Sequence, residues 1–110
     1  MDPKCRSISR LILPAIRASI AQIMRQEYNY RQKEIAERLG VVQVAVSKYL
    51  NGRYSAEIEN VKQYIIKNGL SRKIVADIVG GKPEEEISGE IDSLCGTIAE
   101  EMPPEGSLRS

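Results

Sequence analysis

Four residues in the stretch GVVQVAVSKYLNG carry side chains that can recognise the edges of DNA bases. If this stretch is helical, Gln43, Val44, Ser47 and Lys48 share one face, because residues three and four apart are neighbours on a helix. A Gln amide can form two hydrogen bonds with adenine, and a Val can pack on the methyl group of thymine. Ser47 and Lys48 can reach a base edge or a phosphate, and Lys favours guanine. Residues 41–51 contain no Asp or Glu, which suits a phosphate-rich neighbour.

The basic residues are concentrated in the first half of the chain. Residues 1–53 contain ten Lys and Arg against four Asp and Glu, whereas residues 83–110 contain one against eight. This asymmetry within a net charge of +1 indicates an anionic partner for the first half, and solvated helix faces are the alternative explanation. We expect contacts to DNA phosphates from Arg31, Gln32, Lys33, Arg38 and Arg53.

The segment that carries these base-reading candidates fits two secondary structures. Its valines alternate with other residues, as in a β-strand. At helical spacing it has one apolar face, formed by Val42, Ala45, Val46, Tyr49 and Leu50. Gly40 on one side and Asn51-Gly52 on the other are helix stop signals, and no other segment has the character of a partner strand. These flanks predict a helix over residues 42–50 with the apolar face directed inward.

Caps and apolar periodicity predict the remaining helices, and we therefore expect an all-α fold of five to six short helices. Asp2 and Pro3 favour a first short helix, Pro14 begins or kinks a second one, and Asn29 ends it. The second helix is expected to bury Ala15, Ile16, Ile20, Ile23 and Met24. The next helix is expected to bury Ile35, Ala36 and Leu39 and to end at Gly40. Ser55 and Ser71 are the expected N-caps of two further helices.

The last helix follows Pro83 and carries an apolar stripe. The stripe consists of Ile87, Ile91, Leu94, Cys95 and Ile98, at spacings like those of a coiled coil. We expect four of its residues, Ile87, Ile91, Leu94 and Ile98, to form the interface of a homodimer. The alternative is that the stripe covers the core of its own chain.

The stretch QKEIAERLGVVQVAVSKYLNGR resembles the helix-turn-helix regulators of the Cro and phage-repressor class, which are also called XRE-like. The resemblance is carried by Gln32, Ala36, Gly40, Val46, Ser47, Leu50 and the letters NGR that follow. The sequence departs from the family pattern at Val42, because the family usually has a Ser or Thr there that caps the recognition helix. The wider N-terminal part is also similar to a group of short archaeal predicted transcriptional regulators.

The resemblance implies sequence-specific binding of double-stranded DNA and control of transcription, with repression as the expected direction. Helix 42–50 is expected to enter the major groove, and two copies are expected to bind two half-sites. We expect a helix-turn-helix domain over residues 1–70, C-terminal helices used for dimerisation over 71–102, and a disordered tail over 103–110. The alternative function is a protein-interaction or antitoxin-like module in which DNA binding is secondary.

Other classes of function lack the residues that they require. The chain has no His, no paired acids at useful spacing and no Gly-rich phosphate loop, so we expect no enzymatic activity, metal or cofactor. It has no apolar run of about 18 residues, so we expect no membrane span and a cytoplasmic, unprocessed protein. Cys5 and Cys95 are expected to be free thiols, because Asp92 stands where some proteins of this group complete a C-x-x-C pair. A redox switch, or a cluster shared across a dimer, is the alternative for the two cysteines.

Overall fold

The computed structural model describes the backbone of residues 3–101 and the side chains of residues 10–101. This part of the chain forms six helices: α1 (Pro3–Tyr28), α2 (Gln32–Leu39), α3 (Gln43–Leu50), α4 (Ala56–Lys67), α5 (Arg72–Val79) and α6 (Glu84–Glu101). It forms no β-strand, so the all-α prediction is confirmed and the strand alternative for residues 42–50 is wrong. The predicted disordered tail, residues 103–110, lies outside the described residues.

α1 runs without a break through Pro14, where the sequence predicts a boundary between two helices. A proline inside a helix removes one hydrogen bond and its ring clashes with the preceding turn, at a cost of about 3 kcal/mol. On the same helix Ile12, Ile16 and Ile20 are at most 1% exposed. Burying each such side chain contributes about 1.5–3 kcal/mol. The packing of α1 therefore outweighs the cost of its proline.

α1 is the central helix, because it packs against all five others. The predicted stripe of Ala15, Ile16, Ile20, Ile23 and Met24 is buried, as expected. Ala18, Ser19 and Ala21 are buried as well, so α1 is covered on nearly its whole circumference in this region. These small side chains let neighbouring helices approach α1 closely from several sides.

The predicted helix boundaries are confirmed more often than the predicted side-chain caps. Asn29 follows α1 with a φ of 57°, a left-handed conformation that Asn tolerates. The Oγ of Ser55 accepts the N–H of Ile58 at 3.2 Å and caps α4, as predicted. Ser71 also precedes a helix, but its side chain does not cap it. The Ser71 hydroxyl instead forms a buried hydrogen bond of 3.0 Å with the hydroxyl of Ser19 in α1.

The apolar stripe of α6 is buried within its own chain. Ile87, Ile91 and Ile98 are at most 5% exposed, and Leu94 and Cys95 pack partly buried against the same core. α6 lies against α1, α2 and α5. The dimer interface predicted for Ile87, Ile91, Leu94 and Ile98 is therefore corrected, and the alternative that the stripe covers its own core holds. Helical periodicity shows that one face is apolar, but it does not show what covers that face.

α5 and α6 belong to the same core as the first four helices. Ile74, Val75 and Ile78 of α5 form one cluster of buried side chains with α1 to α4 and α6. The boundary that the sequence suggested after residue 70 therefore does not separate two cores. A network of four charges also joins α5 to α6. Lys73, Lys82, Asp77 and Glu90 form this network, in which both ammonium groups contact both carboxylates at 3.0–3.4 Å.

Candidate nucleic-acid interface

The first part of the interface is α2 and the turn that follows it. α2 buries Ile35, Ala36 and Leu39, as the sequence predicts. Gly40 ends the helix with a φ of 69°, and the next N–H, that of Val41, bonds to the backbone oxygen of Ala36 at 3.0 Å. A left-handed residue other than glycine costs about 1–2 kcal/mol. A glycine at position 40 is therefore well suited to the tight turn between α2 and α3.

The turn is also crowded by the C-terminal part of the chain. A Cβ atom at Gly40 would collide with the carboxylate of Glu84, the first residue of α6. Arg38, two residues earlier on α2, donates a hydrogen bond of 3.1 Å to the backbone oxygen of Ile78 in α5. The corner between α5 and α6 thus contacts the C-terminal end of α2, and α2 in turn positions α3.

α3 is fixed by its inner face. Val46 is fully buried, while Val41, Tyr49 and Leu50 pack partly buried against the core. Val42 was predicted to lie on this face, but it is 70% exposed. Val42 is the N-cap, with the extended dihedrals φ −74° and ψ 151°, so its side chain does not follow the helical periodicity. As its sequence implies, Val42 provides no side-chain cap, and α3 begins at Gln43.

The outer face of α3 is largely exposed, and most of its side chains form no hydrogen bond or ion pair among the described residues. Gln43 and Lys48 are exposed, and among the described residues their side chains form no hydrogen bond or ion pair. Val44 is 65% exposed, so Val42 and Val44 place two large apolar side chains in solvent on either side of Gln43. Ser47 is half-buried, and its Oγ accepts a hydrogen bond of 3.2 Å from Nδ2 of Asn51. The structure therefore brings all four predicted base-reading residues onto one helix.

The predicted phosphate-contact residues divide into two groups. Arg31, Lys33 and Arg53 are exposed, and Gln32 at the start of α2 is half-buried. The positive charge of Arg31 and Lys33 is partly offset, because Glu34 and Glu37 line the same shallow cleft. Glu34 also accepts the backbone N–H of Arg31 at 3.0 Å. Arg38 differs from this group, because its guanidinium is already bonded to Ile78.

A polar cluster that the sequence analysis missed holds the loop between α3 and α4. The hydroxyl of Tyr54 donates to Glu59 at 2.8 Å and accepts from Nζ of Lys62 at 2.9 Å. Lys62 is buried, and its ammonium lies 3.3 Å from Glu59. Burial raises the pKa of Tyr54, so the phenol remains protonated. The signal in the sequence was a lysine on the apolar face of α4, between Val61 and Ile65.

This cluster sets the position of Arg53. The loop leaves α3 through Gly52, with a φ of 67°, and the N–H of Arg53 bonds to the backbone oxygen of Lys48 at 2.9 Å. Tyr54 then ties the next residue of the loop to α4. Arg53 therefore lies on a loop that is hydrogen-bonded to α3 on one side and to α4 on the other. This loop follows directly after α3.

Clusters of metal-ligating side chains and membrane-spanning helices are not found among the described residues. Residues 10–101 contain no group of three or more Cys, Asp and Glu that could hold a metal ion. No helix within residues 3–101 is long and apolar enough to cross a bilayer. Cys95 is half-buried, and the side chain of Cys5 lies outside the described residues, so the free state of both thiols stays a prediction.

Comparison with known protein families also supports a helix-turn-helix in this part of the chain. Residues 22–71, slightly less than half of the chain, match the model of a helix-turn-helix family. This segment begins within α1 and includes the whole of α2, α3 and α4. No curated protein and no solved structure matches the chain. The family match confirms the resemblance to the Cro and phage-repressor class, whereas the similarity to archaeal regulators stays a prediction.

Proposed function

We propose that the protein is a sequence-specific transcription regulator that inserts α3 into the major groove of double-stranded DNA, because residues 22–71 match the model of a helix-turn-helix family. The observation that carries this proposal is the outer face of α3. That face exposes an amide, an ammonium group and apolar side chains, and it contains no acidic residue. The resemblance to phage repressors favours repression as the direction of control.

Each residue of the outer face has a role in this proposal. Gln43 reads adenine through N6 and N7, and Val44 packs on a thymine methyl group. Two exposed valines beside a glutamine are unfavourable in water, and contact with thymine methyl groups would bury them. Ser47 reads a base edge, and Lys48 contacts guanine or a phosphate.

Contacts to phosphates hold α3 in register in this arrangement. The exposed cations Arg31, Lys33 and Arg53 neutralise phosphates, and Gln32 contributes from the N-terminus of α2, where helix N–H groups attract anions. We also propose that two copies bind two half-sites one helical turn of DNA apart. The contact between the copies does not involve the buried stripe of α6, since those side chains lie in the core.

Selection of binding sites from a random duplex pool tests the proposed function directly. The purified protein is expected to enrich a half-site that contains an A·T pair, and its affinity is expected to fall steeply with salt. Footprinting upstream of its own gene then locates an operator. Recovery of random sequences alone would contradict sequence-specific regulation, and the absence of binding at low salt would contradict any role on DNA. A stable complex with another protein in the absence of DNA binding would support the interaction-module alternative.

A further inference from the structure

α3 and α4 end in the same backbone geometry. Their C-caps are Asn51, with φ −96° and ψ 5°, and Asn68, with φ −94° and ψ 2°. Each is followed by a glycine of positive φ, and each donates its backbone N–H to the carbonyl four residues earlier, at 3.0 and 3.1 Å. The two helix ends therefore form a matched pair, and they differ in what the asparagine side chain does.

The side chain of Asn68 bonds to the backbone of its own helix, whereas the side chain of Asn51 does not. Nδ2 of Asn68 donates to the backbone oxygen of Tyr64 at 2.9 Å, a second bond to a carbonyl that also accepts the backbone N–H of Asn68. Nδ2 of Asn51 donates instead to the side chain of Ser47, at 3.2 Å. The amide of Asn51 is thus directed to the outer face of α3, away from the backbone of its helix.

Within residues 10–101 the hydroxyl of Ser47, like those of Ser88 and Ser93, donates to no backbone carbonyl of its own helix. Ser and Thr in helices often donate their proton to a carbonyl of the preceding turn. Ser19 does so to Ile16 at 2.7 Å, and Thr97 does so to Ser93 at 3.1 Å. Within residues 10–101 the Ser47 hydroxyl donates to no group and only accepts from Asn51. Its proton is therefore available to a molecule outside the chain.

We propose that Asn51 is a positioning residue for base recognition, which orients the Ser47 hydroxyl as a hydrogen-bond donor toward the DNA. The bond from Asn51 occupies one lone pair of the Ser47 oxygen, which leaves the O–H to donate to a group outside the chain. A donor at this place selects bases with an acceptor in the major groove, namely a purine N7, guanine O6 or thymine O4. It disfavours cytosine, which presents an N4 donor there. This inference rests on the proposed function and assigns a base class to one contact of that interface.

Binding-site selection with single and double variants tests this inference. The parent is expected to disfavour cytosine at one position of its half-site. Asn51→Ala and Ser47→Ala are each expected to reduce that discrimination about fivefold, the equivalent of one hydrogen bond. The double variant is expected to lose no more than either single variant, because both changes remove one shared interaction. Asn68→Ala is the matched control, expected to lower thermal stability and to leave the base preference unchanged.

Asn51→Asp guards against a trivial loss of folding. A carboxylate can only accept, so it draws the Ser47 proton to itself, and the discrimination against cytosine is expected to fall while the circular dichroism spectrum stays that of the parent. An Asn51→Ala variant that keeps the parent preference overturns the inference. An Asn51→Ala variant whose affinity falls equally for all sequences, with a flatter salt dependence, also overturns the inference, because that result identifies a phosphate contact. In both of those cases the parent still selects a half-site and the proposed function stands. A parent that selects no sequence overturns both.

Discussion

Nη1 of Arg38 in α2 donates a hydrogen bond of 3.1 Å to the backbone oxygen of Ile78 in α5. The same oxygen accepts the N–H of Gly81, so the bond joins the helix-turn-helix to the loop that begins the α5–α6 corner. The sequence predicts Arg38 as a phosphate contact. The structure assigns its guanidinium a role inside the chain, which changes the expected behaviour of its variants.

Arg38→Ala is expected to lower the free energy of unfolding by about 1 kcal/mol, the typical contribution of one hydrogen bond. The dependence of DNA affinity on salt is expected to stay that of the parent. Urea denaturation and binding to a labelled duplex at several salt concentrations measure the two quantities. Lys33→Ala, an exposed cation on the same helix, is the control and should leave stability unchanged. A flatter salt dependence together with unchanged stability would restore Arg38 as a phosphate contact.

Arg53→Ala is expected to weaken binding to all duplexes about equally and to reduce the salt slope by about one unit, as for the loss of one phosphate contact. The Arg53 side chain is exposed on a loop bonded on both sides, so its removal should not disturb the fold. Lys67→Ala, an exposed cation in the last turn of α4, is the comparison and should keep the parent slope. Equal slopes for both variants would mean that Arg53 is an ordinary surface charge.

Gln43→Ala is expected to cost about 1–3 kcal/mol of binding free energy on the preferred half-site and much less on random DNA. The Gln43 amide is exposed and forms no hydrogen bond among the described residues, so the substitution removes recognition without altering packing. Gln26→Ala in α1 changes another exposed glutamine and serves as the control. If Gln43→Ala and the parent enrich the same sequences with the same preference at every position, Gln43 does not read DNA.

Tyr54→Phe is expected to lower the free energy of unfolding by about 1–2 kcal/mol, because the hydroxyl bonds to two charged groups. The buried ammonium of Lys62 would keep Glu59 as its one partner in the cluster, at 3.3 Å. Tyr64→Phe is a matched control, since the Tyr64 hydroxyl has no hydrogen-bond partner within residues 10–101. Thermal denaturation followed by circular dichroism compares them. Equal destabilisation of the two variants would show that the Tyr54 cluster does not hold the loop.

The network between α5 and α6 predicts a pH dependence of stability. Hydrogen bonds from Lys73 and Lys82 lower the pKa of Asp77 from an ordinary 3.8 to about 2. Because the folded pKa lies below the unfolded one, the network stabilises the fold above pH 3.8, and this contribution is lost as the pH falls toward 2. Asp77→Asn is expected to lose stability at neutral pH and to show a shallower decline across this acid range. Asp92→Asn, an exposed carboxylate of α6, should follow the parent at each pH. A parental decline in Asp77→Asn would exclude the network as its cause.

Local features of the chain were predictable because their causes are local. Gly40 marks a left-handed turn whatever surrounds it, and the spacing of Ile35, Ala36 and Leu39 defines the buried face of α2. The same holds for the exposure of Gln43 and Lys48 opposite the buried Val46. These residues were sufficient to locate the helix-turn-helix and the outer face of its second helix.

Most of the predictions that the structure revises depended on a distant partner, whereas Val42 is exposed for a local reason, as the N-cap of α3. Pro14 indicates a helix boundary or a kink until the packing around α1 is known, and Ile91 indicates a dimer interface until its burial within its own chain is known. The hydrogen bond from Arg38 to Ile78 likewise could not be predicted before α5 was placed next to α2. The sequence therefore identified which side chains are exposed or apolar, while the structure was needed to show what each of them meets.

The central position of α1 has a consequence for how the chain folds. α1 packs most extensively against α4 and α6, which follow it at long separations in sequence. Helices of this length form in about a microsecond, whereas bringing distant segments together requires the closure of large loops. We therefore expect the docking of late helices on α1 to limit the folding rate, and we expect folding to be slower than for a bundle with only neighbouring contacts.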